Sequence, residues 1–330
     1  MRITFRPMGS APEPPPSERI LTPERMAGLA DRLKEAIAAI EKWGISLDPT
    51  SRLKETEDLL RDVASAGSFP VSHDELVEVA HAARDAQEFA EISGMLPETP
   101  LRPVVTALKN ATQVEPSDDE WSEIGGAPYQ FQSELWVGAM LSCAADFLGV
   151  PHRPGWPDYL VTKGNMKYGV EVKRPRSARR VRRLAAKAAK QLQVPIENYH
   201  GGALVMDLTD CLGSGMGVTL DPGPPNLHPA QEWIAGQMRK LHRAIYDDST
   251  RRIRIDRSHI FCVTVIARSV HWDLDDLSQM YLHRYIGCLV YSKSAKTLRG
   301  HRAAWLSGLV HEGAQAAGYH ALRGHEIRFQ

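Results

Sequence analysis

Asp158 and Glu171 stand with twelve residues between them, on either side of Gly164-Asn165. A Gly-Asn pair between two runs of strand-forming residues marks a two-residue hairpin turn. Closing the turn there pairs Lys163 with Met166, Val161 with Tyr168 and Tyr159 with Val170, and sets Asp158 directly opposite Glu171. One face of the hairpin is then apolar, and the other carries two facing carboxylates. They fall at a non-hydrogen-bonded position, where Cα atoms approach to roughly 4.5 Å. Like charges facing each other destabilise a sheet, so the pair calls for a counter-charge. Lys173, two residues on and on the same face, supplies part of it. A divalent cation completes it, and oxygen-only ligands select Mg²⁺ or Mn²⁺ over zinc. The plainer reading of the same residues is an exposed strand face with incidental acids.

The elements around this hairpin favour the first reading. A helix over residues 129–148 precedes it, with Glu134, Gly138, Leu141, Ala145 and Leu148 on one stripe. Glu134 opens an otherwise apolar face, and an isolated buried carboxylate is costly without a partner. A second helix, 177–194, follows the hairpin and is stopped by Pro195. Arg176, Arg180, Arg183, Lys187 and Lys190 form one continuous basic face on it, opposite the apolar Val181, Leu184, Ala185, Ala188 and Leu192. Such a stripe is suited to a phosphate backbone. The commoner explanation of a charge run, a solvated helix face, competes with it.

A helix with Glu134, then Pro157-Asp158, then Glu171-Val172-Lys173, then a helix carrying Gln191 resembles the PD-(D/E)xK nuclease superfamily, the restriction-endonuclease-like fold. The resemblance covers about residues 128–210. Neither Gln191 nor Gln193 is followed by tyrosine four residues on, so the Q-x-x-x-Y extension of the RecB-like branch is absent. What the resemblance implies is an α/β core with a mixed sheet flanked by helices, and Mg²⁺- or Mn²⁺-dependent hydrolysis of phosphodiester bonds. Asp158, Glu171 and the Val172 carbonyl would hold the ion, and Glu134 would complete the shell or help bind a second one. Lys173 would orient and help deprotonate the attacking water and stabilise charge at phosphorus. Arg176, Arg180, Arg183, Lys187, Lys190 and Gln191 would contact nucleic acid, with DNA favoured over RNA. The reading of a different class is a non-catalytic nucleic-acid-binding or assembly subunit that keeps the fold.

The rest of the chain supplies context. Its 330 residues carry no net formal charge, yet residues 1–134 hold 13 Lys+Arg against 24 Asp+Glu, and the basic excess lies beyond them. Between residues 163 and 190 there are 11 basic side chains and one acid, Glu171. No apolar run is long enough to span a membrane, the N-terminus lacks a secretory apolar segment, and four scattered cysteines form no C-x-x-C. A cytoplasmic protein is expected. Six prolines between residues 7 and 23 read as the end of a flexible leader, 1–22. Helical periodicity over 23–112 reads as a separate all-α domain, with a capping box at Ser72 and Glu75 and a face for a protein partner. Five acids between Glu115 and Glu123 mark a linker, 113–124. Residues 125–330 form the nuclease-like domain, with strands at 202–208 and 259–267, a loop at 212–229, and helices near 231–246, 273–285 and 301–317. A homo-oligomer and a role in antiviral defence or a mobile element fit this organisation. Of the histidines, His152 and His200 lie nearest the hairpin, without metal-ligand spacing.

Overall fold

The computed structural model describes residues 20–95, 102–112, 128–144, 148–149, 153–195, 197–211, 218–221, 259–273, 279–290, 298–316 and 320–321. Apolar residues at helical spacing build the first part. Helix α1 (Pro23–Lys42) starts on the proline that follows Thr22 and buries Met26, Leu29, Leu33, Ile37 and Ile40. Helix α2 (Arg52–Ala66) ends on Gly67 at φ +65°, the left-handed cap that glycine adopts without strain. Helix α3 (His73–Met95) opens with the expected capping pair. The Ser72 hydroxyl accepts from the Glu75 N–H at 3.3 Å and donates to the Glu75 carboxylate at 2.6 Å. Helices α4 (Arg102–Ala111) and α5 (Pro128–Ala144) follow.

The fold is mixed α/β. Strands β1 (Ile20–Leu21), β2 (Leu148–Gly149), β3 (Tyr159–Lys163), β4 (Met166–Lys173), β5 (Tyr199–Asp207), β6 (Val218–Asp221), β7 (Ile260–Asp273), β8 (Met280–Val290) and β9 (His320–Ala321) form one sheet. Its main path runs β1-β8-β7-β5-β4-β3-β2, with β6 on β7 and β9 on β8. β3 and β4 are antiparallel, β4, β5 and β7 are parallel, and β8 returns antiparallel to β7. Helix α6 (Ala178–Gln191) joins β4 to β5 and packs on one face, with Val181, Ala185 and Leu192 against Leu204, Met206, Val263 and Val265. The other face is covered by α5 and by α7 (Leu298–Ala316).

Four expectations need correction. Residues 280–290 form a strand where a helix near 273–285 is expected. Met280 and Leu282 are buried at period two, and the segment pairs with β7 from Cys262↔Val290 to Trp272↔Met280. Short apolar runs fit either period, and the partner strand decides. The leader does not extend through residue 22, because Ile20 and Leu21 pair with Tyr281 and Met280. The expected 212–229 loop contains β6, which pairs with β7. Lastly, the helical region is not separate: Leu29, Leu60 and Phe89 belong to the same continuous core as Trp136, Val172, Val205 and Phe261. The acidic segment 113–124 and the expected helix at 231–246 lie outside the described residues. Among the described residues no helix is long and apolar enough to cross a membrane.

Candidate metal centre and nucleic-acid interface

The hairpin has the register read from the sequence, Tyr159↔Val170, Val161↔Tyr168 and Lys163↔Met166, with Gly164 at φ +58° in the turn. At its open end the Asp158 N–H donates to Glu171 Oε2 at 3.2 Å, and the Val172 N–H donates to Asp158 Oδ2 at 2.8 Å. Each carboxylate is therefore held by the other strand's backbone. The Lys173 ammonium pairs with Glu171 Oε1, donates to the Val172 carbonyl at 3.0 Å, and lies 3.9 Å from Asp158 Oδ2. Glu171 is fully buried, while the Asp158 side chain keeps 20% exposure, so the group opens to solvent on the Asp158 side.

Glu134 reaches the same place from α5. The Tyr159 hydroxyl donates to its backbone carbonyl at 2.6 Å, which ties the helix to β3. Gly138 makes this possible, because a Cβ there would overlap the Tyr159 ring. Gln130, one turn before Glu134, donates to the Glu134 carboxylate at 2.7 Å and to the Val172 carbonyl at 3.0 Å. Sequence reasoning misses Gln130. The available signal is its i, i+4 relation to Glu134, which in a neutral residue reads as ordinary helix surface.

Three carboxylates here share one ammonium, and their protonation reflects it. Burial, then the neighbouring Asp158 charge, pushes Glu134 and Glu171 each up to about 8. Burial raises Asp158 as well, offset in part by Lys173, the Val172 N–H and the α6 side chain Lys187. Burial alone would lower Lys173, but Asp158, Glu171 and Glu134 together reverse this and hold it as an ammonium. Among the described residues, the centre is short of positive charge.

Among the described residues no group of three or more His, Cys, Asp or Glu side chains is placed to hold a metal ion. Asp158, Glu171 and the Val172 carbonyl instead form an open set of hard oxygen donors. Such a set fits Mg²⁺ or Mn²⁺, which bind one or two carboxylates and keep several waters. The raised Glu134 and Glu171 carboxyls point the same way, since a divalent ion would relieve the mutual repulsion that protonation otherwise relieves.

Helix α6 begins after Ser177 and presents its faces as read. Arg180, Arg183, Lys187 and Lys190 are exposed, and Arg176 is half-buried. Of this strip, Lys187 acts electrostatically on Asp158, helping to offset the effect of its burial. Gln191 departs from the expected set. Its amide nitrogen donates inward to the Trp156 carbonyl at 3.3 Å, which braces the segment before β3, and its buried Oε1 has no partner among the described residues. Tyr159 is buried against the sheet, and Trp156 lies under Arg153 at 5.1 Å. His200 packs on Tyr168, with ring centroids 6.0 Å apart, and His152 lies outside the described residues.

Directly behind the centre is a second charged cluster that sequence reasoning also misses. Arg174 pairs with Asp210 through two 2.8 Å bonds. Arg268 pairs with Asp207 and, at 2.6 Å, with Glu88 of α3. Arg52 of α2 binds Asp85 at 2.7 Å and Gln132 of α5 at 2.8 Å, and Arg84 lies 3.8 Å from both Asp85 and Glu88. Ser133 donates to Asp207 at 2.5 Å. Burial alone would raise Asp207, but Arg268, Arg174 and the Ser133 and Thr209 hydroxyls hold it well below the usual carboxylate range.

No family model, curated protein or solved structure matches this chain.

Proposed function

We propose that the chain is a metal-dependent endonuclease with a restriction-endonuclease-like core, acting on nucleic acid, with DNA favoured over RNA by the resemblance to the PD-(D/E)xK superfamily. The observation that carries this reading is the charge deficit at the hairpin end: Glu134, Asp158 and Glu171 around the single ammonium of Lys173, beside an exposed basic helix. A binding surface for a polyanion has no use for facing carboxylates; a site that recruits divalent ions does.

Asp158, Glu171 and the Val172 carbonyl would hold Mg²⁺ or Mn²⁺, with Glu134 adjoining. The bound ion supplies Lewis acidity and a water of lowered pKa. The α6 strip grips phosphates on the open, Asp158 side. Lys173, kept charged by its neighbours, is not a resting-state base. It orients the attacking water as a donor and stabilises the charge that builds on the phosphoryl oxygens. As the water oxygen bonds to phosphorus it gives up a proton to solvent, the bond from phosphorus to the leaving oxygen breaks, and that oxygen takes up a proton in return.

The direct Lys173–Glu171 ion pair favours one competing reading, a nucleic-acid-binding subunit whose centre is closed by its own lysine. One experiment separates the two. The full chain is incubated with supercoiled, linear and single-stranded DNA and with RNA, in Mg²⁺, Mn²⁺ or EDTA, beside Asp158→Asn. Cleavage that needs the ion and Asp158 supports the nuclease. Salt-sensitive binding without cleavage in any metal overturns it in favour of the binding subunit.

A further inference from the structure

The Gln130 side chain uses both hydrogens of its amide nitrogen at the centre, one on Glu134 Oε1 at 2.7 Å and one on the Val172 carbonyl at 3.0 Å. Its own carbonyl accepts from the Arg174 N–H at 2.7 Å. With two donors and an acceptor committed, the amide has a single orientation. Flipped, it would set its oxygen against a carboxylate and a carbonyl, and its nitrogen against an N–H. The third partner is itself immobile. Arg174 is buried, locked to Asp210 by two 2.8 Å bonds, with its guanidinium 4.8 Å from the Tyr129 ring.

The Val172 carbonyl accepts from two groups, Gln130 and Lys173, each at 3.0 Å. A carbonyl oxygen has two lone pairs, so a cation arriving there displaces one donor. Both donors are held elsewhere, Gln130 by Glu134 and the Arg174 N–H and Lys173 by Glu171, but Lys173 ends a flexible four-carbon stem, so it is the donor that would give way to an ion held there.

We propose that Gln130 is a positioning residue for the divalent ion: one amide fixes the Glu134 carboxylate and the Val172 carbonyl relative to each other across the helix–sheet boundary. This rests on the metal-dependent reading above. Hydrogen-bonding partners of ligating groups typically change metal affinity or activity by 10–100-fold when removed.

The test uses the full chain as Gln130→Leu and Gln130→Met, the second keeping the unbranched length of glutamine should the first fail to fold. Mn²⁺ binding is followed by loss of the free-ion electron paramagnetic resonance signal, with Asp158→Asn as the control. Nucleic-acid affinity is measured separately in EDTA, and kcat and KM in Mn²⁺. The expected result is Mn²⁺ affinity weaker by about tenfold or more and kcat reduced to match, with KM and metal-free nucleic-acid affinity within about twofold of wild type. A strut with a purely structural role would lower the melting temperature and leave Mn²⁺ affinity of the folded variant unchanged, and that result overturns the proposal. If wild type itself shows no Asp158-dependent Mn²⁺ binding, the metal reading fails and this assignment falls with it. If wild type binds and the variants bind equally, only Gln130 is misassigned.

Discussion

Two buried charged regions lie back to back across α5, and they are composed differently. The cluster behind the centre sets Arg52, Arg84, Arg174 and Arg268 against Asp85, Glu88, Asp207 and Asp210. Among the described residues it is balanced, and the Ser133 and Thr209 hydroxyls, the Gln132 amide and the Tyr129 face also meet its guanidinium groups. The hairpin end sets Glu134, Asp158 and Glu171 against Lys173. Two carboxylates of the second region are driven up to about 8, while in the first Asp207 and Asp85 are held down by their guanidinium partners and Glu88 is raised by burial. Burial is common to both, so the difference is one of charge matching. A balanced cluster has no place for a ligand and serves to hold elements together. An unbalanced one is where, on the proposed reading, a cation would be recruited.

The largest effect should come from unbalancing the matched cluster. Arg268→Met leaves Glu88 and Asp207 buried without their main partner, and should cost about 3–5 kcal/mol in urea unfolding. A loss under about 1 kcal/mol would mean that the cluster is not the brace described here.

Lys173→Ala should lower cleavage by about 100-fold or more while leaving nucleic-acid affinity in EDTA nearly unchanged, because its contribution belongs to the transition state. Cleavage at the wild-type rate would reduce Lys173 to a salt-bridge partner.

The third test reads the imbalance through pH. A carboxyl raised from its ordinary value to about 8 in the fold is protonated there while the unfolded chain has already ionised, so it withdraws stability as pH rises through that window. Replacing Glu171 with Gln removes this penalty. The melting temperature of metal-free Glu171→Gln, relative to wild type, should therefore rise between pH 5 and pH 8. The gap should narrow when Mn²⁺ is added to wild type. A gap independent of pH would place the hairpin end among the balanced clusters. Referencing to wild type also removes other titrations, such as that of His81, pushed down to about 3 by burial and by Arg84.

The smallest effect on stability is expected at the surface. Replacing Arg180, Arg183 and Lys187 together should change unfolding free energy by under about 0.5 kcal/mol per site. The same triple replacement should flatten the salt dependence of duplex binding by about 2–3 units of slope, at roughly 0.9 per lost phosphate contact. An unchanged slope would move the polyanion surface off α6.

The contrast between the two regions also explains what could be read in advance. Asp158, Glu171 and Lys173 are fixed by a period of two and a two-residue turn, both local, and the faces of α6 follow from its own spacing. The matched cluster is assembled from residues far apart in sequence. Arg84, Asp85 and Glu88 look like the solvated side of α3 until Arg268 arrives from β7 to pair with Glu88. Gln130 and Gln191 are neutral side chains whose roles depend on a neighbouring backbone carbonyl. Strand β8 was ambiguous for the same reason, since its identity is settled by pairing with β7.

The pairing of Ile20 with Tyr281 has a consequence for how the chain acquires its structure during synthesis. The first strand meets its neighbour only after residues 22–279 have been made, and Glu88 waits for residues 89–267 before Arg268 appears. Contacts of such sequence separation slow folding, because the closure entropy is spent before the contact forms. The early helices bring Arg52 and Arg84 to Asp85 on their own, but Glu88 has yet to receive the guanidinium of Arg268. The cluster is completed only when β7 arrives, and a fragment that stops before β7 leaves it unfinished.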